Sequence, residues 1–262
     1  MNPEELQVLK NWFDGFCASF ATPVPADQRN YAVKEFHTRE VRRNIARIGQ
    51  DLLLDPDDLL LAEAIALFHD VGRFPQYRQY KTFDDSISVN HAALGAQVLI
   101  EGKALELLNA LDRDAIIHAV TLHNAFSLPE SIDGRPLLLA RLIRDADKID
   151  ILRVALDYYQ QDSGSRAEAV ALGLPDAPGY STKVLDNLKR GTMARKADLT
   201  TLNDFKLLQL SWIYDLNFTG SLRMVSERGY IDKLAASLPR VDEIQEATAV
   251  VQAYVEDRLR SG

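Results

Sequence analysis

Cysteine is nearly absent. Cys17 is the single one in 262 residues, which excludes an intrachain disulfide and a thiolate zinc site, so any metal must be held by His, Asp and Glu. Long apolar runs are also missing. No stretch reaches the ~18–20 residues a membrane helix requires, and the opening "MNPEELQVLKNWFDGF" carries acids where a secretory leader would be basic. The expectation is a cytoplasmic chain with no membrane partner. Basic charge is in deficit: 30 Lys and Arg against 38 Asp and Glu leave a formal charge of −8, which argues against binding a nucleic-acid backbone, since that needs clustered cations. An anionic small substrate would need local help from a metal or a few well-placed bases. The alternation of a strand hardly occurs, and neither do repeats or low-complexity tracts.

Helical periodicity fills the chain instead. Residues 4–20 read as an amphipathic helix, and "ATPVPADQ" (21–28) as a loop. A second helix is predicted over 29–50, where Val41, Ile45 and Ile48 recur at three- and four-residue spacing. "DPDD" (55–58) starts a third, with Pro56 in the first turn and acids at the positive end of the dipole. It leads into "LLLAEAIALFHD", which Gly72 and Pro75 should break. Residues 73–86, "RFPQYRQYKTFDDS", are expected to form a polar loop whose aromatics Phe74, Tyr77, Tyr80 and Phe83 line a pocket or pack the loop down. Helices follow at about 88–100, 104–126 and 136–160, and the Gly-, Pro- and Ser-containing stretch 160–181 reads as an internal boundary or equally as a long loop on one domain. The remainder reads helical again, so the fold class is all-α, a bundle that places sites on side chains pointing inward from facing helices.

All five histidines, His37, His69, His91, His118 and His123, precede residue 124. His37 continues the stripe of Val41, Ile45 and Ile48; His91 begins one with Leu94, Gly95 and Val98; His123 shares a face with Ile116, Ala119 and Val120. Three imidazoles thus face inward from three helices. His118 lies about 140° round the helix from His123 and is read as structural or supporting. Acids must complete a site, and "RLIRDADKIDILR" (141–153) offers Asp145, Asp147 and Asp150 on a helix apolar nearly all round. Buried carboxylates there need a partner, either a cation or the neighbouring Arg141, Arg144, Lys148 and Arg153. Periodicity does not choose among the three. His69 and Asp70, adjacent at a helix end, splay by about a quarter turn and can approach one ion from two directions, and the glycine after them would let the chain turn away.

His37, the pair His69-Asp70 in "FHDVGRF" and Asp147 in "DADKID" resemble the HD superfamily of metal-dependent phosphohydrolases. His91 in "NHAALG" and His123 in "HN" at 123–124 are similar to the branch with additional histidine ligands. The match covers about residues 30–155, with the groups separated by 32, 21, 32 and 24 residues. The resemblance selects Asp147 among the aspartates, because the family's last ligand directly precedes a basic residue. It implies an HD-type metal-binding helical core over 1–160, with a C-terminal helical extension over 161–262 packed on the same domain. It implies that His37, His69, Asp70 and Asp147 hold a first ion and that His91 and His123 hold a second, with Asp70 bridging. Imidazole and carboxylate donors without thiolate suit Mn, Fe, Co, Ni or Mg. The activity so implied is hydrolysis of a phosphoester in a nucleotide or other small phosphorylated metabolite by a metal-activated water. Asp70, Arg73 and Lys148 are its candidate catalytic groups, and Arg73, Lys81, Asn124 and Arg144 its candidate substrate contacts. The cyclic-dinucleotide branch is not favoured, since its "GYP" element is missing. Two other readings of the same ligand set are a diiron oxygenase and a non-catalytic nucleotide-sensing module, and a homo-oligomer is compatible with all three.

Overall fold

Helix-start residues set the frame of the molecule. The computed structural model describes residues 1–261, the side chain of Ser163 excepted. α1 (Pro3–Ala18) opens with a reciprocal cap, the Asn2 side chain accepting from the Glu5 amide while the Glu5 carboxylate accepts from the Asn2 amide. α2 (Pro25–Asp51) begins four residues earlier than predicted, because a proline in the first position loses no hydrogen bond there. α3 (Pro56–Phe68) is capped by Asp55. α4 (Arg73–Tyr80) lies where a loop was expected: Pro75 falls in its first turn, which proline tolerates. α5 (His91–Glu101) is capped by Asn90 and α6 (Ala110–Leu122) by Asn109, so α6 starts six residues later than predicted. α7 (Gly134–Gln160) is one long helix. Then come α8 (Thr182–Lys189), α9 (Leu202–Ser211), α10 (Thr219–Glu227), α11 (Tyr230–Ala236) and α12 (Asp242–Ser261). The chain is all-α, with no strand among the described residues, and no described helix is long and apolar enough to cross a membrane.

Two compact units make up the chain, residues 1–150 with 163–172 and residues 151–162 with 173–262, and their division falls within α7. In the first, α3 is central. Seven of its residues, including Leu61, Ile65, Leu67 and Phe68, are buried, as suits a helix apolar all round. α1, α2 and α6 pack against it, while α4 packs on α2 and α5. Asn44 of α2 donates to the Ala146 carbonyl of α7 at 3.2 Å, fixing those two helices side by side. Of the two roles expected for the aromatics of 73–86, packing is the one found. Phe74, Tyr77 and Phe83 are buried in a cluster with Phe20 and Tyr31, so they pack this segment onto the bundle, and only Tyr80 is exposed.

In the second unit α9 is the buried element, and Asp204 near its start accepts from the Thr200 and Ser181 amides and from the Thr200 hydroxyl. These bonds tie the segment before α8 to the start of α9.

Candidate metal centre

Six side chains from five elements of the first unit come together, with the Asp70 carboxylate among four histidines. His37 comes from the middle of α2, while His69 and Asp70 follow the last turn of α3. His91 is the first residue of α5, His123 caps the end of α6, and Asp147 comes from α7. His37, His69, Asp70, His91 and His123 are all buried, and the Asp147 side chain keeps 14% exposure, so the centre opens past Asp147.

Asp70 divides the site. Its Oδ2 lies 3.6 Å from His37 Nε2 and 3.7 Å from His69 Nε2, and its Oδ1 lies 3.3 Å from His91 Nε2 and 3.7 Å from His123 Nε2. Within each pair the Nε2 atoms approach to 3.2 Å (His37, His69) and 3.0 Å (His91, His123). Asp147 joins the first pair only, its Oδ1 standing 3.0 Å from His37 Nε2 and 3.5 Å from His69 Nε2.

Every outer ring nitrogen has a partner. His69 Nδ1 donates to the Ala66 carbonyl at 2.8 Å and His123 Nδ1 to the Val120 carbonyl at 2.7 Å, each three residues back on its own helix. His37 Nδ1 faces Asp150 Oδ2 at 2.7 Å and His91 Nδ1 faces Asp85 Oδ2 at 2.6 Å. In the neutral rings the proton sits on Nδ1 and the Nε2 lone pairs point at each other across about 3 Å, and a metal ion would displace the second proton that Asp147 favours on His37. Two acceptors at that range repel unless a cation lies between them, and imidazoles sharing an ion at bonds of about 2.0–2.1 Å stand roughly this far apart. Four imidazoles so backed, with carboxylates and no thiolate, suit a divalent metal ion.

Charge follows the same division. Burial works against ionisation of Asp70, yet Lys34, His69, His123 and Arg73 hold its carboxyl well below the usual range. Burial also opposes charge on His37, but hydrogen bonds to Asp147 and Asp150 prevail and raise it to about 9. His91 is lowered to about 3 by burial and by the Arg73 guanidinium, despite its bond to Asp85.

Residues 36–152 match the family model of the HD domain. That segment, a little under half of the chain, is an HD domain by this match. No curated protein and no solved structure matches it. The HD assignment brings the general character of its superfamily, metal-dependent hydrolysis, and the ligand atoms needed for it lie within the matched segment.

The other candidate residues of the HD domain fall at several places. Arg73 is at the centre: its Nη1 donates to the Phe83 carbonyl, Asp85 Oδ1 and the Gln76 side chain at 2.6, 2.7 and 2.9 Å, and its Nε is 3.5 Å from Asp70 Oδ1 with no hydrogen-bond partner. Asn124 donates to Asp85 and to Asn90, fastening the end of α6 to the turn before α5. Lys148 is buried beside Asp147. Arg144 is buried too, but its guanidinium donates to the carbonyls of His123, Ala125 and Phe126, so it braces the chain behind His123. Lys81 pairs instead with Asp27 at 2.7 Å and is half-exposed. His118 is exposed on α6, on the face away from His123.

Gly72 differs from its expected use. Its backbone is ordinary right-handed helix, so no turn demands glycine. What does is close approach: a Cβ at 72 would lie 2.1 Å from the His91 carbonyl oxygen and 2.6 Å from the Gly95 amide nitrogen. Gly72 is how α5 comes near enough for His91 to reach Asp70. Three further groups at the centre were not identified as such from sequence. Lys34 carries a signal, one helical turn before His37. Asp150 was one of three unresolved aspartates, and Asp85 sits in a 3₁₀ turn (Asp85–Ile87) with no periodicity to mark it.

Proposed function

We propose that this HD domain is a phosphohydrolase that holds two divalent ions and cleaves the phosphoester of a nucleotide or other small phosphorylated metabolite. The observation that carries the reading is Asp70, whose two oxygens face two separate histidine pairs. His37, His69 and Asp147 would hold one ion and His91 and His123 the other, with Asp70 shared. When bound, such ions supply an activated water and positive charge for the phosphoryl oxygens. The protein does the rest. Asp150 and Asp85 hold His37 and His91 in the tautomer that turns Nε2 inward. Arg73 is locked at Nη1 and keeps its Nε–H unpaired beside Asp70, which suits contact with a phosphoryl oxygen. Lys148, the buried residue after Asp147 in the chain, would add a second positive charge. Asn124 keeps α5 and α6 in register through Asp85.

Elemental analysis of the purified protein, with phosphate release from a panel of nucleotides and phosphodiesters and Asp70→Ala alongside, tests this. About two bound metals per chain and phosphate release lost in the variant support it. Tightly held iron without phosphate release points to an oxygenase, and no bound metal removes both.

A further inference from the structure

Lys34 precedes the matched HD segment, which begins at residue 36, yet it is the nearer of two cations on the central carboxylate. Its Nζ is 2.7 Å from Asp70 Oδ2, the same oxygen that faces His37 and His69. Arg73 approaches the other oxygen, with Nε 3.5 Å from Oδ1. Both cations lie over one ring: Lys34 Nζ is 5.0 Å and the Arg73 guanidinium 5.9 Å from the centroid of Phe83, which is buried and cannot move aside. Asp70 is therefore flanked on both oxygens by positive groups that share one apolar support.

An ammonium and a divalent ion on Asp70 Oδ2 would have to share one buried oxygen. Like charges within reach of one oxygen repel strongly in a buried site. Lys34 has a flexible stem, three donors of which Asp70 takes one, and a side chain that keeps 15% exposure. It has somewhere to turn and donors left to offer. Beside it Arg73 presents an unpaired Nε–H, so an anion that lay against Asp70's flank would meet both.

We propose that Lys34 competes with metal for Asp70 and, displaced from it, binds a phosphoryl oxygen of the substrate together with Arg73. The proposal rests on the phosphohydrolase reading for the identity of the anion, while the competition for Asp70 stands apart from it. Lys34 is a substrate-binding residue in this account, and its presence tunes metal affinity downward.

Calorimetric titration of Mn²⁺ alone into metal-free wild type, Lys34→Met and Lys34→Arg, followed by inorganic phosphate into each Mn²⁺-loaded protein, separates the possibilities. Lys34→Met should bind Mn²⁺ more tightly than wild type and bind phosphate about 10–100-fold more weakly, the loss expected for one charged hydrogen bond. Lys34→Arg should recover most of the phosphate affinity. Metal and phosphate affinity falling together in Lys34→Met, with a lowered melting temperature, would show a structural ion pair and overturn the proposal. So would unchanged phosphate binding on a wild type that binds it. A wild type that takes up Mn²⁺ but no phosphate would remove the hydrolase reading and the anion-binding role with it.

Discussion

His37 and His69 on one side of Asp70, and His91 and His123 on the other, are held by the same pair of devices. Each side has one imidazole backed by a carboxylate, Asp150 or Asp85, and one backed by a carbonyl three residues earlier on its own helix. Each side also has a cation on its Asp70 oxygen, Lys34 or Arg73. The difference is Asp147, which reaches only the first pair. His37 is raised to about 9 by hydrogen bonds to Asp147 and Asp150 that outweigh burial, while His91 is lowered to about 3 by burial and then by Arg73. With one more carboxylate donor, the first side should bind a divalent ion more tightly than the side that lacks the extra acid. In the proposed two-ion reading the likeness in backing suits each side to an ion, and the difference in charge ranks them.

The largest effect should come from removing what the two sides share. Asp70→Asn is expected to lower phosphate release by about 10³-fold or more and to reduce bound metal on both sides, measured by turnover and elemental analysis. Next, the sides should separate. His123→Ala is expected to leave one tightly bound ion per chain, whereas Asp147→Ala should weaken the tighter binding step and leave the weaker one nearly unchanged, as followed by Mn²⁺ calorimetry. Equal losses from both variants would break the ranking.

Gly72→Ala gives a third, more local test. The added methyl meets backbone rather than a side chain that could move, so it should destabilise the fold by about 1–3 kcal/mol and displace His91 and the weaker site while sparing the His37 side. Thermal melts and the same titration read both. The smallest effects are expected from the backing acids, where Asp85→Asn and Asp150→Asn should each cost about 10–100-fold in affinity, the first on the weaker step and the second on the tighter.

Much of this centre was legible in the sequence, because a helix that turns an imidazole inward does so at a period the apolar residues reveal. His37 with Val41, Ile45 and Ile48, and His123 with Ile116, Ala119 and Val120, lie on buried faces as that period implies. What was hidden depends on approach between elements. Asp85 meets His91 and Asn124 only because α4 and the following turn fold back onto α5, and nothing local to "TFDDS" encodes that meeting. Arg144 was a candidate substrate contact or a partner for the aspartates of its own helix, yet the chain after α6 brings three carbonyls to it. Gly72 was read for flexibility when its value is the absence of a side chain. Lys34 was missed although its spacing from His37 was in plain view, since a lysine on a helix usually faces water.

The most direct test of the account is a Mn²⁺ titration of metal-free wild type beside the double variant His91→Ala/His123→Ala. Two ions per chain in steps of unequal affinity, with only the tighter step left in the double variant, is the expected result. A single ion in the wild type, or two in the double variant, would contradict a centre divided by Asp70.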